Sequence, residues 1–242
     1  MASYRCIELA DKSLPLVNAH LAMSELLLQI LDTPQAPLIL QKVQAILDEE
    51  RQKRYAFYEW LDEDKKAEFI NGEVVVHSPA LDRHNSAMLL LATLLTVYVN
   101  DRQLGYVRAE KALVELTRNS YEPDICYFGP AKAAQITPDQ LYYPAPDLVV
   151  EVLSKSTEKI DREIKFADYA AHRVAEYWII DPLRRTIAQY GIDADTLEYA
   201  LTGSFGLKET ITSQTLPGFS IPVRAVFDET ANILALRNLL TS

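Results

Sequence analysis

The run Leu148-Val149-Val150-Glu151-Val152-Leu153 sets one acid among five aliphatic residues. Side chains alternate across a sheet, so a strand here puts Glu151 on one face with Val149 and Leu153. A carboxylate among such neighbours is costly unless it is paired or holds a metal ion. Asp124 follows Glu122-Pro123 and begins a second run of strand formers, Asp124–Phe128. If the two strands adjoin, Asp124 and Glu151 could bracket a hard divalent cation, Mg²⁺ or Mn²⁺, which prefers carboxylate oxygen and water. Such an ion activates water and stabilises charge developing on a phosphate.

A lysine would complete that chemistry. Glu151 stands some 4–5 residues before the turn that follows it, roughly 13–16 Å at ~3.3 Å per residue. Lys165 stands about 8 residues into the next helix, about 12 Å at 1.5 Å per residue. If the helix packs back along the strand, the two come out at similar depth. Asp161 and Lys165 are i,i+4 neighbours on one helix face, and Tyr169 follows one turn later. Plainer readings stand beside these. Glu151 could be an acid on a solvated sheet face or in a structural ion pair. Asp161 and Lys165 could form a surface pair worth about a few tenths of a kcal/mol. Asp124 could be a turn acid after proline.

The elements that would position these residues can be read along the chain. Leu21–Leu31 could form a short apolar helix. Leu38–Trp60 shows Leu40, Val43, Ile46 and Leu47 at helical spacing. Residues 1–60 are therefore taken as an N-terminal helical extension, and 61–242 as the domain. Phe69–Val76 reads as a hairpin, because Asn71-Gly72 supplies the two positive-φ residues of a type I′ turn. Asp82 looks like the N-cap of a long helix, Arg83 to about Gln103, closed by Gly105. His84, near its start, reads as a cap or packing residue, or as a supporting group of the site. Tyr106–Leu116 is rich in strand formers. Thr157 to about His172 is an amphipathic helix, with Ser154 and Ser156 as turn and capping residues. Tyr177–Ile180 is a strand stopped by Asp181-Pro182. Thr186–Tyr190, Leu197–Leu201 and Glu209–Thr212 follow as exposed strands, and Ala231–Leu240 as a closing helix. This order predicts an α/β (α+β) fold with a mixed central sheet flanked by helices.

Composition bounds the function. The 242 residues are 49% hydrophobic and 24% charged, ordinary for a globular chain. No apolar run reaches the ~18–20 residues of a membrane span. The first residues carry Arg5, Glu8 and Asp11 where a signal peptide is apolar, which predicts a cytoplasmic protein. Cys6 and Cys126 make no disulfide framework, and Cys126 reads as a buried thiol. His20, His77, His84 and His172 show no zinc spacing, and the chain has no GxSxG, phosphate loop or GxGxxG. The net charge of -10 disfavours generic DNA binding, which rests on phosphate neutralisation. Local basic residues or a metal ion would have to offset it.

The segment PDLVVEVLSKSTEKIDREIKFADYAAHRVAEYWIIDP (Pro146–Pro182) resembles the signature of the Uma-two family, once catalogued as a domain of unknown function. That family belongs to the PD-(D/E)XK, restriction-endonuclease-like superfamily. EFINGEVVVHSPALDRH resembles its entry hairpin, EPDICYF its first acidic strand and LPGFSIPVRAVF its closing turn. The resemblance covers about Glu68 to Phe227. It implies a restriction-endonuclease-like core, a divalent metal and phosphodiester hydrolysis, with DNA as the partner. Asp124 matches the aspartate of the motif and Glu151 its second acid, both as metal ligands. Leu153 stands where the superfamily carries lysine, so Lys165 would supply that charge from the helix. Glu73 would stand in for a helix-borne acid, with His84, Asp161 and Tyr169 in support. Two other readings remain: a non-catalytic nuclease-fold module, or a hydrolase of a smaller phosphorylated substrate, which an acidic surface would suit better. A homodimer is expected, with the N-terminal arm as a swap element.

Overall fold

The computed structural model describes residues 25–62 and 65–241. The chain forms two compact units, Met1–Glu49 and Glu50–Ser242. Residues 25–31 are helical, as expected for the later part of Leu21–Leu31; the earlier part of that segment, and Cys6, lie outside the described residues. Helix α1 (Ala36–Trp60) ends within the second unit, where Phe57 packs on Ala67, Phe69 and Leu113. No helix among the described residues is long and apolar enough to cross a membrane.

Strands β1 (Ala67–Ile70) and β2 (Glu73–Val76) form the hairpin. Asn71 and Gly72 have φ of 50° and 86°, the pair of positive values that the type I′ turn demands. Helix α2 (Asp82–Arg102) follows. Asp82 is its first residue and not its cap; Leu81 holds the cap position and offers no side-chain acceptor. The far end is turned by Gln103, whose φ is 54°, ahead of Gly105. The expected strand Tyr106–Leu116 is two strands, β3 (Tyr106–Ala109) and β4 (Leu113–Glu115), in different sheets. Glu110 and Lys111, both left-handed at φ 52° and 48°, break it.

Next come β5 (Ser120–Tyr121), β6 (Ile125–Phe128), a short helix α3 (Pro130–Ala133), β7 (Tyr142–Tyr143) and β8 (Leu148–Val152). The helical crossover after β8 contains a π-turn, Ile160–Ile164, then α4 (Lys165–Ala171). Strands β9 (Glu176–Asp181), β10 (Thr186–Ile192), β11 (Tyr199–Phe205), β12 (Thr210–Thr212) and β13 (Ser220–Pro222) precede helix α5 (Glu229–Thr241).

The central sheet has the order β11-β10-β9-β8-β6-β3. It is mixed: β8 and β9 run parallel, as a helical crossover requires, and the other pairs are antiparallel. A second sheet, β2-β1-β5-β4-β7, carries the hairpin. Alternation along β8 and β9 sorts the two faces. Leu148, Val150, Val152, Trp178 and Ile180 join the apolar core with residues of α2 and α5. Val149, Leu153, Tyr177 and Ile179 face the other way, with Tyr169 and Ala170 of α4. Cys126 is a free, buried thiol, as expected.

Candidate active site

Glu151 projects from β8 onto the α4 face and is only 3% exposed. The antiparallel register of β6 and β8 pairs Ile125 with Val150, which brings Asp124 alongside Glu151 at the end of the two strands. The crossover then returns Lys165 over the same face. Its ammonium lies 2.8 Å from Glu68 Oε1, 3.0 Å from Glu151 Oε1 and 3.3 Å from Asp161 Oδ1. The π-turn ends at this residue: Lys165 N–H bonds the carbonyl of Ile160, one residue beyond the usual helical partner. Tyr169, a turn later, donates its hydroxyl to Glu151 Oε1 at 3.2 Å.

Asp124 is held by a separate set of donors. Val152 N–H donates to Asp124 Oδ2 at 2.8 Å, and His84 Nε2 lies 3.2 Å from the same oxygen. Lys66 Nζ is 3.5 Å from Asp124 Oδ1 and 3.7 Å from Glu110. Glu68, on the buried hairpin strand, accepts the Glu122 N–H at 2.9 Å, and its other oxygen lies 3.0 Å from His77 Nε2.

The electrostatics follow from this crowding. Burial pushes the Glu151 carboxyl up, and the negative Asp161, Asp124 and Glu68 push it further; Lys165 opposes them without prevailing, so it rests well above the usual carboxylate range. Burial likewise raises Asp161 against the pull of Lys165. Burial would raise Asp124 too, yet the hydrogen bond from His84 and the charge of Lys66 leave it below its ordinary value. Glu68 is also lowered, because Lys165 and His77 outweigh its burial. Burial favours a neutral Lys165, but Glu151, Glu68 and Asp161 hold it charged, well above the ordinary value. Glu122 is pushed up to about 7 by burial, which Lys111 and Lys66 only partly offset. Its Oε2 is buried with no hydrogen-bond partner.

The structure thus brings Asp124, Glu151, Lys165, Asp161, Tyr169 and His84 together. Glu73 is not among them. It is exposed on β2, at the turn of the hairpin opposite Ile70, and takes no part in the cluster. The acid that the hairpin delivers is Glu68, on the inward strand. The sequence carried a signal for it, an acid in an apolar strand, Ala67-Glu68-Phe69-Ile70, the same pattern that singled out Glu151. His77, Lys66 and Glu122 were also missed; each depends on how the two sheets meet, which local pattern does not report.

Asp124, Glu151, Asp161, Lys165 and His84, with Lys66, His77 and Glu122, line a cleft of about 890 Å³; Tyr169 and Glu68 lie behind its surface. Among the described residues, no three His, Cys, Asp or Glu side chains come together in the geometry of a metal site. The donor chemistry nonetheless fits a hard divalent ion. Asp124 and Glu151 offer carboxylate oxygens from adjoining strands, and the cleft carries more acids than its two buried or half-buried lysines can neutralise.

Residues 54–224 match the family Uma2, described as "Putative restriction endonuclease". The "Uncharacterized protein sll1609" of Synechocystis sp. is 29% identical over 129 residues, 52% of this chain and 72% of that protein. Among solved structures, "a putative nuclease belonging to DUF820 from Anabaena variabilis ATCC 29413" aligns with a TM-score of 0.61 at 15% identity, over 73% of this chain and 96% of that one. At that identity the likeness shows the fold.

Proposed function

The chain belongs to the Uma2 family, and from that membership we propose that it is a divalent-metal-dependent endonuclease that hydrolyses phosphodiester bonds in DNA. The observation that carries this reading is the meeting of Asp124, Glu151 and Lys165 in one cleft, from two strands and a helix. Asp124 and Glu151 would hold Mg²⁺ or Mn²⁺, which supplies Lewis acidity toward a phosphoryl oxygen and lowers the pKa of bound water. Lys165 presents a fixed positive charge where a phosphate gains negative charge in the transition state. Glu68 and Asp161 hold that ammonium in place, and Tyr169 fixes the Glu151 oxygen nearest to it. Leucine at position 153 is therefore compatible with turnover, since the charge comes from the crossover helix.

A nicking assay on circular DNA in double-stranded and single-stranded form, with Mg²⁺ or Mn²⁺, tests this. Wild type nicks, a chelator stops it, and Glu151→Gln lowers the rate about 100-fold or more, the loss of roughly 2.7 kcal/mol of transition-state stabilisation. Nicking that survives Glu151→Gln would overturn the site. Wild-type protein that neither nicks nor melts higher with either metal would overturn the function.

A further inference from the structure

Two unlike segments line the cleft. One is the segment after the hairpin, where Val76 and Leu81 are each 63% exposed with Pro79 and Ala80 between them. The other is the turn after β8, where the hydroxyls of Ser154, Ser156 and Thr157 lie 2.9–3.0 Å apart around the Ser154 oxygen. Lys155 stands exposed in this turn and forms no ion pair among the described residues. The carboxylates lie at the bottom, with Asp124 only 5% exposed.

Three features of this cleft argue against a double helix as its occupant. A duplex carries its phosphates on the outside of a stiff rod, and binding it takes about 6–10 phosphate contacts. Here Lys66 is paired with Asp124 and Glu110, Lys165 is buried where only the scissile phosphate would meet it, and Lys155 alone of the lining lysines is exposed to flanking phosphates. The exposed valine and leucine would face a duplex's charged ridge, where apolar surface gains nothing. The volume, about 890 Å³, is that of a small-ligand cleft, enough for a short stretch of thin chain to reach buried groups.

We infer that the substrate in this cleft is an unpaired DNA strand, its bases against the Val76–Leu81 segment and its sugar-phosphate chain along the Ser154–Thr157 segment. This rests on the nuclease reading above and names the form of DNA that the site accepts. A single strand can turn its bases and its phosphates to different sides, so base faces can meet Val76 and Leu81 while the hydroxyls and Lys155 meet the sugar-phosphate chain.

The test compares three substrates with full-length protein and Mn²⁺: a labelled single-stranded oligonucleotide, the same strand annealed to its complement, and bis(p-nitrophenyl) phosphate. The expected result is kcat/KM for the single strand about tenfold or more above the duplex, with a salt dependence equivalent to only about one to three phosphates. Val76→Asp, a change at an exposed position, is expected to lower cleavage of the single strand about fivefold or more, by repelling the chain and removing apolar surface. Equal or faster cleavage of the duplex overturns the inference and leaves the nuclease reading standing, as does a Val76→Asp protein that cuts single strands at the wild-type rate. Failure on all three substrates overturns the nuclease reading and the inference with it.

Discussion

Glu176 opens β9 and Glu151 lies near the end of its parallel neighbour β8; both carboxylates are buried, at 0% and 3% exposure. Glu176 accepts five hydrogen bonds. Trp178 Nε1 and Gln189 Nε2 donate to Oε1, and Ser213 Oγ, Gln214 N and Thr215 N donate to Oε2. Glu151 is supplied less fully and sits in harsher company. Lys165 and Tyr169 donate to one oxygen, a long 3.4 Å contact from Asp124 N reaches the other, and three more carboxylates crowd around. A buried carboxylate with all its donors present is a structural bond between elements, here tying β9 and β10 to the segment before β13. One with donors withheld and like charges brought close retains binding capacity that the fold has not used. The two sit at opposite ends of the β8–β9 pair, since Glu176 lies across from Leu148 and Glu151 across from Ile179. Glu151 is at the carboxyl end of its strand, where α/β sheets place their sites.

The largest expected effect tests the structural half of this contrast. Glu176→Gln turns one acceptor oxygen into a donor facing donors, so unfolding free energy should fall by about 3 kcal/mol or more. Denaturant unfolding measures it, and a loss under about 1 kcal/mol would mean that the five bonds are not what holds this corner. Glu151→Gln is the counterpart. The roughly 100-fold loss of nicking should come with a change in metal-free stability within about 1 kcal/mol at neutral pH. Removing a charge that its neighbours already oppose costs little, and Lys165 keeps Glu68 and Asp161. Equal destabilisation by the two variants would erase the distinction.

Much of Glu151's surroundings was legible in the sequence, because it followed from periodicity and length. Alternation put the acid on the Val149–Leu153 face, and strand rise against helix rise put Lys165 at matching depth. The π-turn shifts helical phase by a fraction of a turn, too little to undo that estimate. Asp124 was legible as a strand-opening acid, although adjacency to β8 was a conditional until the register showed it. What was not legible came from the second sheet. Glu68 and Glu73 are both acids on the hairpin, and choosing between them requires knowing which strand is covered. The pattern of Glu73-Val74-Val75-Val76 looks no more exposed than that of Ala67-Glu68-Phe69-Ile70. Nothing local marks Glu176, since its five donors come from three separate segments. The break at Glu110-Lys111 was hidden because neither residue marks a left-handed conformation as glycine or asparagine would.

Glu122 lies between the two extremes, buried beside Glu68 with one oxygen unpartnered, and it makes the contrast measurable by pH. Burial lifts its pKa from the ordinary 4.5 to about 7, against Lys111 and Lys66. The folded chain therefore binds this proton more tightly than the unfolded chain does. Its contribution to stability is greatest below about pH 4.5, falls as pH rises toward 7, and is constant above. In metal-free buffer, wild type should lose about 1–2 kcal/mol relative to Glu122→Gln across that window. Parallel stability curves for the two proteins would show that this carboxylate finds a partner in solution and belongs with Glu176.

The smallest effect compares one donor removed from each glutamate. Ser213→Ala deletes one of five donors to Glu176, and Ser213 Oγ also accepts the Thr215 and Leu216 N–H groups, so about 1–2 kcal/mol of stability should go. Tyr169→Phe deletes one of two side-chain donors to Glu151 while leaving an apolar ring of nearly the same volume in the same packing. Its stability cost should be about 1 kcal/mol or less. The binding effect should run the other way. Without the hydroxyl, Glu151 Oε1 is held by Lys165 alone, its orientation loosens, and the metal concentration at half-maximal nicking should rise about three- to tenfold. Ser213→Ala should leave that midpoint where it is, because the carboxylate it supports faces the opposite side of the sheet. A midpoint that moves with Ser213→Ala and not with Tyr169→Phe would place the metal away from Glu151, whatever the two variants do to stability.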